Sequence, residues 1–124
     1  QQHQLQNNII LTGFIKDEEL EAHFNMNSIY IMPSLKEGFG IVFIEALHYG
    51  LPVIAGNRDG SVDALDKGSL GLLVDPDDNV ALQNAITSIL KSPEQHVPNL
   101  NRLQELFSYE SYKVKLSLML NCEL

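Results

Sequence analysis

Seven residues separate two glutamates, Glu37 and Glu45, in a stretch that also holds Gly38 and Gly40. Glycines in a loop allow positive φ and bring the backbone close to a ligand. An apolar helix is predicted from Ile41 onward, and the N–H groups of its first turn have no partner within the helix. The pattern therefore predicts an anion site at the start of this helix, with a carboxylate on either side.

The two glutamates are expected to have different roles. Glu45 follows four apolar residues, so its helix is predicted to be buried on most faces, and an unpaired buried carboxylate is costly. A sugar diol offers two O–H donors to one carboxylate, which suits a ribose beside a diphosphate. A buried basic partner, or a cap on a neighbouring loop, is an equally good explanation on spacing alone.

The resemblance to a known family rests on the type and spacing of residues around this stretch. They are Pro33, Ser34, Glu37, Phe39, Gly40, Ile41, Glu45, Ala46, Gly50, Pro52, Val53 and Ile54, with 11–15, Gly60, Asp63, Gly68, Gly71, Leu73, Val74 and 106–110 on either side. Over about a hundred residues, the chain resembles the glycosyl transferases group 1 family. Members of that family are retaining enzymes built from two Rossmann-like domains.

The expected fold class is α/β, a Rossmann-like parallel sheet with helices on both faces. About four strands are predicted, at 9–11, 29–32, 52–55 and 71–74, so the sheet is incomplete and corresponds to the C-terminal half of a GT-B second domain. Residues 1–124 form one domain, with a tail at 1–8 and C-terminal helices at 99–121. In a doubly wound order of 3-2-1-4-5-6, two strands are missing between the first and second of these.

The resemblance also assigns the site. Glu37 is implied as the catalytic carboxylate that faces the transferred sugar, without acting as a nucleophile, and Glu45 as the ribose ligand. The remaining donor-binding residues implied in this way are Gly38, Phe39, Gly40, Ile41, Val42, Ile15 and Asp17, the last two at the nucleobase. From its position alone, Asp17 is equally an N-cap for the helix that follows. No metal and no cofactor are expected, because helix N–H groups neutralise the diphosphate.

The function expected from the resemblance is retaining sugar transfer from a nucleotide-diphosphate donor to an acceptor hydroxyl. The chain is interpreted as the donor-binding part of a longer protein and is expected to be inactive without the N-terminal part. That part would bind the acceptor glycan or glycolipid. Two alternatives stay open: a non-catalytic nucleotide-binding or regulatory module, and a fragment of a GT-B-fold sugar epimerase or phosphorylase.

Composition and charge exclude several classes of protein. Sixteen acidic residues against eight basic ones give a net charge of −8, which argues against nucleic acid as a partner. An anionic donor must then rely on N–H groups and on local cations, for which Lys16, Lys36 and Arg58 are the candidates. The single Cys122 excludes an internal disulfide. We expect a cytoplasmic protein, and whether the parent lies peripherally at a membrane stays open.

Two capping positions and two surfaces complete the predictions. Ser61 is expected to cap a short helix at 62–65, and the acidic turn at 75–78 to cap an amphipathic helix that follows. The C-terminal helix carries an apolar stripe with no predicted cover. That stripe, or an open sheet edge, is the expected surface for self-association.

Overall fold

The structure is a computed structural model that describes residues 5–120. It contains three short strands and six α-helices, with two 3₁₀ turns between them. The strands are β1 (Tyr30–Met32), β2 (Val53–Gly56) and β3 (Leu72–Val74). The helices are α1 (Asp17–Met26), α2 (Ile41–His48), α3 (Ser61–Ala64), α4 (Asn79–Lys91), α5 (Leu100–Phe107) and α6 (Tyr109–Leu120), and the 3₁₀ turns are Asp66–Gly68 and Pro93–His96.

The sheet is parallel, in the order β1-β2-β3, with Tyr30 opposite Val53 and Ala55 opposite Leu73. All four residues of β2 are buried, which is typical of a parallel strand covered on both faces. Because the strands are parallel, the loops that follow them all emerge at the same edge of the sheet. This edge is where open α/β sheets place their ligands.

Helices cover both faces of the sheet, as predicted. One core joins the side chains of Val53 and Ala55 with residues of α1, α2 and α5, and the other joins Ile54 with residues of α4. Successive residues of β2 thus point to opposite cores, because side chains alternate along a strand. The first core is the larger, and Phe43 and Leu47 of α2 are fully buried in it.

The strand predicted at 9–11 is absent, so the prediction of about four strands is wrong for the described residues. Ile9, Ile10 and Leu11 lie in an irregular segment with side chains 56%, 88% and 92% exposed. An apolar run becomes a strand only where a neighbouring strand pairs its backbone and a helix covers its side chains. Within residues 5–120 neither surrounds this segment, and the outer edge of β1 pairs with no other strand.

The helix boundaries confirm some capping predictions and correct others. The carboxylate of Asp78 accepts from the N–H groups of Val80 and Ala81, so the acidic turn caps α4 as predicted. Asp17 is not an N-cap but the first residue of α1. Ser61 does not cap α3 either, because it is the first residue of that helix and its side chain is fully buried.

The two C-terminal helices pack side by side, and α5 also contacts α2. Residue 121, the predicted end of the second helix, lies outside the described residues, as do residues 1–4 of the predicted tail. The apolar side chains of α6 are largely exposed, as expected: Tyr112, Val114, Leu118, Met119 and Leu120. No helix between residues 5 and 120 has the length and apolar character that a membrane crossing requires.

Candidate functional site

The site begins at the loop between β1 and α2, where Gly40 is the N-cap residue of the helix. Gly40 has φ 86° and ψ 60°, a left-handed conformation that side chains disfavour. A Cβ at this position would also collide with the ring of Phe43 and lie 3.2 Å from Cγ of Glu37. Glycine is therefore required here both by backbone conformation and by space.

The first turn of α2 leaves backbone donors available. The N–H of Phe43 donates to the Gly40 carbonyl at 3.0 Å. Among the hydrogen bonds of residues 5–120, none uses the N–H of Gly40, Ile41 or Val42, and no side chain in this range caps the helix. Three donors at a helix N-terminus are thus available to an anionic oxygen, as predicted from the sequence.

Glu37 lies in the same loop and is half-buried. Its carboxylate accepts a hydrogen bond from the N–H of Gly38 at 3.0 Å. The Gly38 amide is therefore occupied by the protein itself, unlike those of Gly40, Ile41 and Val42. Glu37 lies in the loop after β1, at the carboxyl edge of the sheet, and its second carboxylate oxygen accepts no hydrogen bond within residues 5–120.

The sequence prediction that Glu45 is buried is wrong, because this residue is exposed. Phe43, Ala46 and Leu47 carry the buried face of α2, and Glu45 falls on the opposite side of the helix. The apolar run around it misled the sequence interpretation, since Ile41 is exposed as well. No buried cation is therefore needed to explain this carboxylate.

Glu45 and Asp17 line the same cavity, which has a volume of about 310 Å³ and lies between α1 and α2. Its remaining lining residues are Leu20, Glu21, Phe24, Ile44, His48 and Tyr49. The structure thus brings together the predicted ribose ligand and one of the two predicted nucleobase contacts. Ile15, the other predicted nucleobase contact, lies in the preceding loop and does not line the cavity, and neither do Glu37 and residues 38–42.

Four aromatic rings pack together beside this cavity, and two of them, Phe24 and Tyr49, line it. Phe24 stacks on Tyr49 with ring centroids 5.3 Å apart, and Tyr30 packs against Phe24 and Phe43 with centroids 6.1 and 6.0 Å away. Aromatic pairs stabilise packing beyond what their buried area contributes, so these contacts fix α1 and α2 to β1. The cavity is therefore held open between helices that are each fixed to the same strand.

The Tyr30 hydroxyl lies close enough to Glu45 and Glu37 to be affected by the charge of both. Burial raises the pKa of the Tyr30 hydroxyl, and the negative charges of Glu45 and Glu37 raise it further. The Tyr30 hydroxyl consequently stays protonated and remains a hydrogen-bond donor, directed toward the sulfur of Met32 at 3.7 Å.

Phe39 connects the loop between β1 and α2, residues 33–40 and called the glycine loop below, to the C-terminal helices. Its ring contacts that of Phe107 edge to face, with centroids 5.8 Å apart, and its side chain remains 37% exposed. The exposed part of the ring is available to shape a ligand pocket, while α5 holds the other part. The predicted role of Phe39 at the sugar stays a prediction.

Sequence reasoning missed Asp59, which connects the loop after β1 to the loop after β2. One oxygen of its carboxylate accepts from the N–H of Glu37 at 2.6 Å and from the hydroxyl of Ser34 at 3.0 Å. The other accepts from the N–H of Ser61 at 3.0 Å, at the start of α3. An aspartate two residues before a helical N–H is a capping signal that the sequence does contain.

The ionised form of Asp59 is favoured. Burial by itself would raise the pKa of this carboxyl, but the hydroxyl and N–H of Ser61, the N–H of Glu37 and the hydroxyl of Ser34 together lower it below its usual range. The Ser61 Oγ itself is buried and reaches hydrogen-bond geometry with no group in residues 5–120. At neutral pH the two loops are thus joined by a charged acceptor.

Arg58 is not available as a phosphate ligand in this arrangement, in contrast to the sequence expectation. Its guanidinium pairs with Asp75 at 2.5 Å and with Asp77 at 2.6 Å, across the loop that follows β3. Two carboxylates around one cation leave no net positive charge for a diphosphate. Lys16 and Lys36 are exposed and form no ion pair within the described part of the chain.

Comparison with known proteins agrees with the fold. The family described as "Glycosyl transferases group 1" matches residues 1–105. The chain belongs to this family. In structure, it is similar to sucrose-phosphate synthase from Thermosynechococcus elongatus, a GT-B protein, with a TM-score of 0.79 and 32% identity over 94% of the chain and 30% of that protein.

Two curated relatives extend the comparison. A 41.2 kDa protein in the cps region of Klebsiella pneumoniae is 33% identical over 92% of this chain and 30% of its own length. GDP-mannose-dependent alpha-(1-6)-phosphatidylinositol monomannoside mannosyltransferase of Mycolicibacterium smegmatis is 34% identical over 70% of the chain and 25% of its own length. The chain therefore spans about a third or less of these relatives.

Proposed function

We propose that this group 1 glycosyltransferase chain binds a nucleotide-diphosphate sugar and serves retaining transfer to an acceptor hydroxyl. The observation that carries the proposal is the start of α2, where the N–H groups of Gly40, Ile41 and Val42 have no acceptor among the described residues. A diphosphate supplies the anionic oxygens that such a helix N-terminus favours.

The two ends of the donor bind on either side of the diphosphate. The nucleoside occupies the cavity of about 310 Å³ between α1 and α2, where Glu45 accepts from the ribose hydroxyls and Asp17 contacts the base. The transferred sugar lies against Glu37, whose carboxylate orients hydroxyls and offsets positive charge developing at the anomeric carbon. Phe39 and the backbone of Gly38 complete the sugar side.

Donor binding in this proposal requires neither a metal ion nor a cofactor. The helix N–H groups stabilise the diphosphate, and basic groups of a longer parent protein complete its neutralisation. Dissociation constants measured with Mg²⁺ and with EDTA should therefore agree within about twofold. A loss of affinity greater than about tenfold in EDTA would show that the diphosphate is bound through a metal.

The proposal is tested by titration calorimetry of the 124-residue chain with GDP, UDP and ADP. We expect weak, saturable binding of a nucleoside diphosphate, and no binding of the corresponding nucleoside monophosphate at the same concentration, since the diphosphate contacts would be lost. Equal affinity for both, or saturation by neither, would contradict it. Inorganic sulfate at equal ionic strength is the control for unspecific attraction between charges, which salt screens.

Transfer itself is expected only from a longer protein, since the chain spans about 30% of the length of the cps-region relative. We propose that the isolated chain binds donor without transferring the sugar, and that the acceptor glycan or glycolipid is bound by another part of the parent. Transfer measured with the purified 124-residue chain would refute this. Retention is tested by the anomeric configuration of the product of the parent enzyme.

We also propose that the protein is cytoplasmic, and that it is peripheral at a membrane where its acceptor is a glycolipid. We propose in addition that the isolated chain self-associates through the exposed face of α6. Leu118 and Met119 on that helix are 73% and 81% exposed. Sedimentation should show a dimer that Leu118→Glu dissociates. A monomer at high protein concentration, or a dimer unaffected by the substitution, would rule out this surface. Cell fractionation of the parent tests the location.

A further inference from the structure

We propose that Asp59 is a positioning residue that holds Glu37 in its ligand-facing place through the backbone of the glycine loop. The inference rests on the proposed function for its consequence, but its structural content stands without a ligand. Asp59 is 22 residues from Glu37 in sequence, and its carboxylate accepts the Glu37 N–H at 2.6 Å. The short distance marks a charge-assisted bond.

A second contact makes this arrangement reciprocal. The residue after Asp59, Gly60, donates its N–H to the carbonyl oxygen of Glu37 at 3.0 Å. Both backbone groups of Glu37 are thus bound by the same two-residue segment, one as donor and one as acceptor. The Glu37 backbone has little freedom to rotate without breaking one of these bonds.

Close packing fills the remaining space between the two loops. A Cβ on Gly60 would overlap the carbonyl group of Gly38, and a Cβ on Gly56 would overlap the carbonyl oxygen of Ser34. The end of β2 and the loop that follows it therefore lie directly against the backbone on both sides of Glu37. Asp59 supplies the only side-chain acceptor in this contact among the described residues, since its oxygens take the hydrogen bonds of Ser34, Glu37 and Ser61.

Two substitutions separate the positioning role from a local capping role. Asp59→Ser retains a short side-chain oxygen that can accept from the Ser61 N–H two residues on, but it cannot reach Glu37. Asp59→Asn keeps the length and one acceptor oxygen, which can replace the oxygen shared by Glu37 and Ser34. The matched control is Asp78→Ser, the same change at the N-cap of α4, away from the glycine loop.

The first measurement is amide hydrogen exchange by NMR without ligand. In the wild-type chain, the Glu37 N–H is expected to be protected although it lies in a loop. Asp59→Ser should accelerate its exchange at least about tenfold relative to wild type, whereas Asp59→Asn should change it less than about threefold and Asp78→Ser not at all. Exchange of the wild-type Glu37 N–H at the rate of an unstructured peptide, or no acceleration in Asp59→Ser, would overturn the proposal.

The second measurement tests whether the hydrogen bond between Asp59 and the Glu37 N–H affects the affinity for a ligand. With UDP-glucose and GDP-mannose as probes, Asp59→Ser should lose at least about fivefold more affinity than Asp78→Ser at equal thermal stability, and Asp59→Asn should recover most of the loss. Equal losses in the two serine variants would mean a purely structural role and contradict the proposal. If wild type binds neither probe nor any nucleoside diphosphate, the proposed function fails, while the exchange experiment still decides the role of Asp59. If Asp59→Ser does not fold, the wild-type exchange rate decides it.

Discussion

Gly60→Ala is the perturbation whose effect follows most directly from the coordinates. Gly60 has φ −60° and ψ −11°, which alanine adopts without strain, so backbone conformation alone would make the substitution stabilising by about 0.4–1 kcal/mol. The added Cβ, however, would overlap the carbonyl group of Gly38 and lie 3.0 Å from the carbonyl oxygen of Glu37. The two loops must then move apart.

The opposing terms give the size of the effect. Overpacking of this kind costs about 1–3 kcal/mol. With the middle of each range, the net loss in the free energy of unfolding is about 1.3 kcal/mol. For a chain of this size, that lowers the unfolding midpoint by about 5 °C. Because the displaced loop contains the N–H donors, nucleoside diphosphate affinity should also fall about tenfold, the equivalent of about 1.4 kcal/mol.

Gly38→Ala is the control for the stability measurement, which is made by thermal unfolding followed by circular dichroism. Its added Cβ would meet no atom within 4 Å, and the residue is not in the left-handed region. We expect its midpoint to stay within about 2 °C of wild type on the same scale of about 4 °C per kcal/mol. If Gly60→Ala were as stable as Gly38→Ala or more so, the close contact between the two loops would be refuted.

Three further predictions concern the ligand and the pH dependence of stability. Glu45→Gln should weaken nucleoside diphosphate binding by about three- to tenfold, and more than Glu37→Gln does, because Glu45 lines the nucleoside cavity and Glu37 does not. The reverse ranking in titration calorimetry would refute the assigned roles. GDP should bind more tightly than UDP, since the cavity is lined by carboxylates that accept from the amino group of guanine, and a preference for UDP would contradict this. The Arg102 hydrogen bond lowers the pKa of Asp66 below its ordinary value of about 3.9. This bond therefore stabilises the fold fully above about pH 4 and loses its effect as the pH falls through the lower, folded-state pKa. Arg102→Ala should accordingly lower the unfolding midpoint at neutral pH, and by less in acid near the folded-state pKa; a difference independent of pH would show that this bond is not the cause.

Much of the fold follows from local patterns in the sequence. The three observed strands, the amphipathic helix α4 and the helix stop at Gly50 are all predicted correctly, because burial and turn chemistry leave a short-range signal. Gly50 indeed has φ 79° just after the C-cap. The strand predicted at 9–11 is wrong, because pairing depends on a neighbour that a local pattern does not specify.

The site is only partly predictable, for the same reason. The glycine loop and the free helix start depend on residues next to one another in sequence, so a local pattern reveals them. The exposure of Glu45 depends on which face of α2 meets the sheet, which the nearly continuous apolar run from Ile41 to Leu47 does not reveal. The contact of Asp59 with Glu37 joins two loops across β2, so no spacing rule indicates it. The pairing of Arg58 with two aspartates is equally non-local.

The central claim is that the start of α2 binds the anionic oxygens of a diphosphate. It is tested most directly by ¹H–¹⁵N NMR of the chain during titration with GDP and UDP. The amide resonances of Gly40, Ile41 and Val42 should shift together and saturate with one dissociation constant, while that of Val80, at the capped start of α4, stays in place. If a nucleoside diphosphate binds and these three resonances do not move, or if they move only with Val80, the account is contradicted.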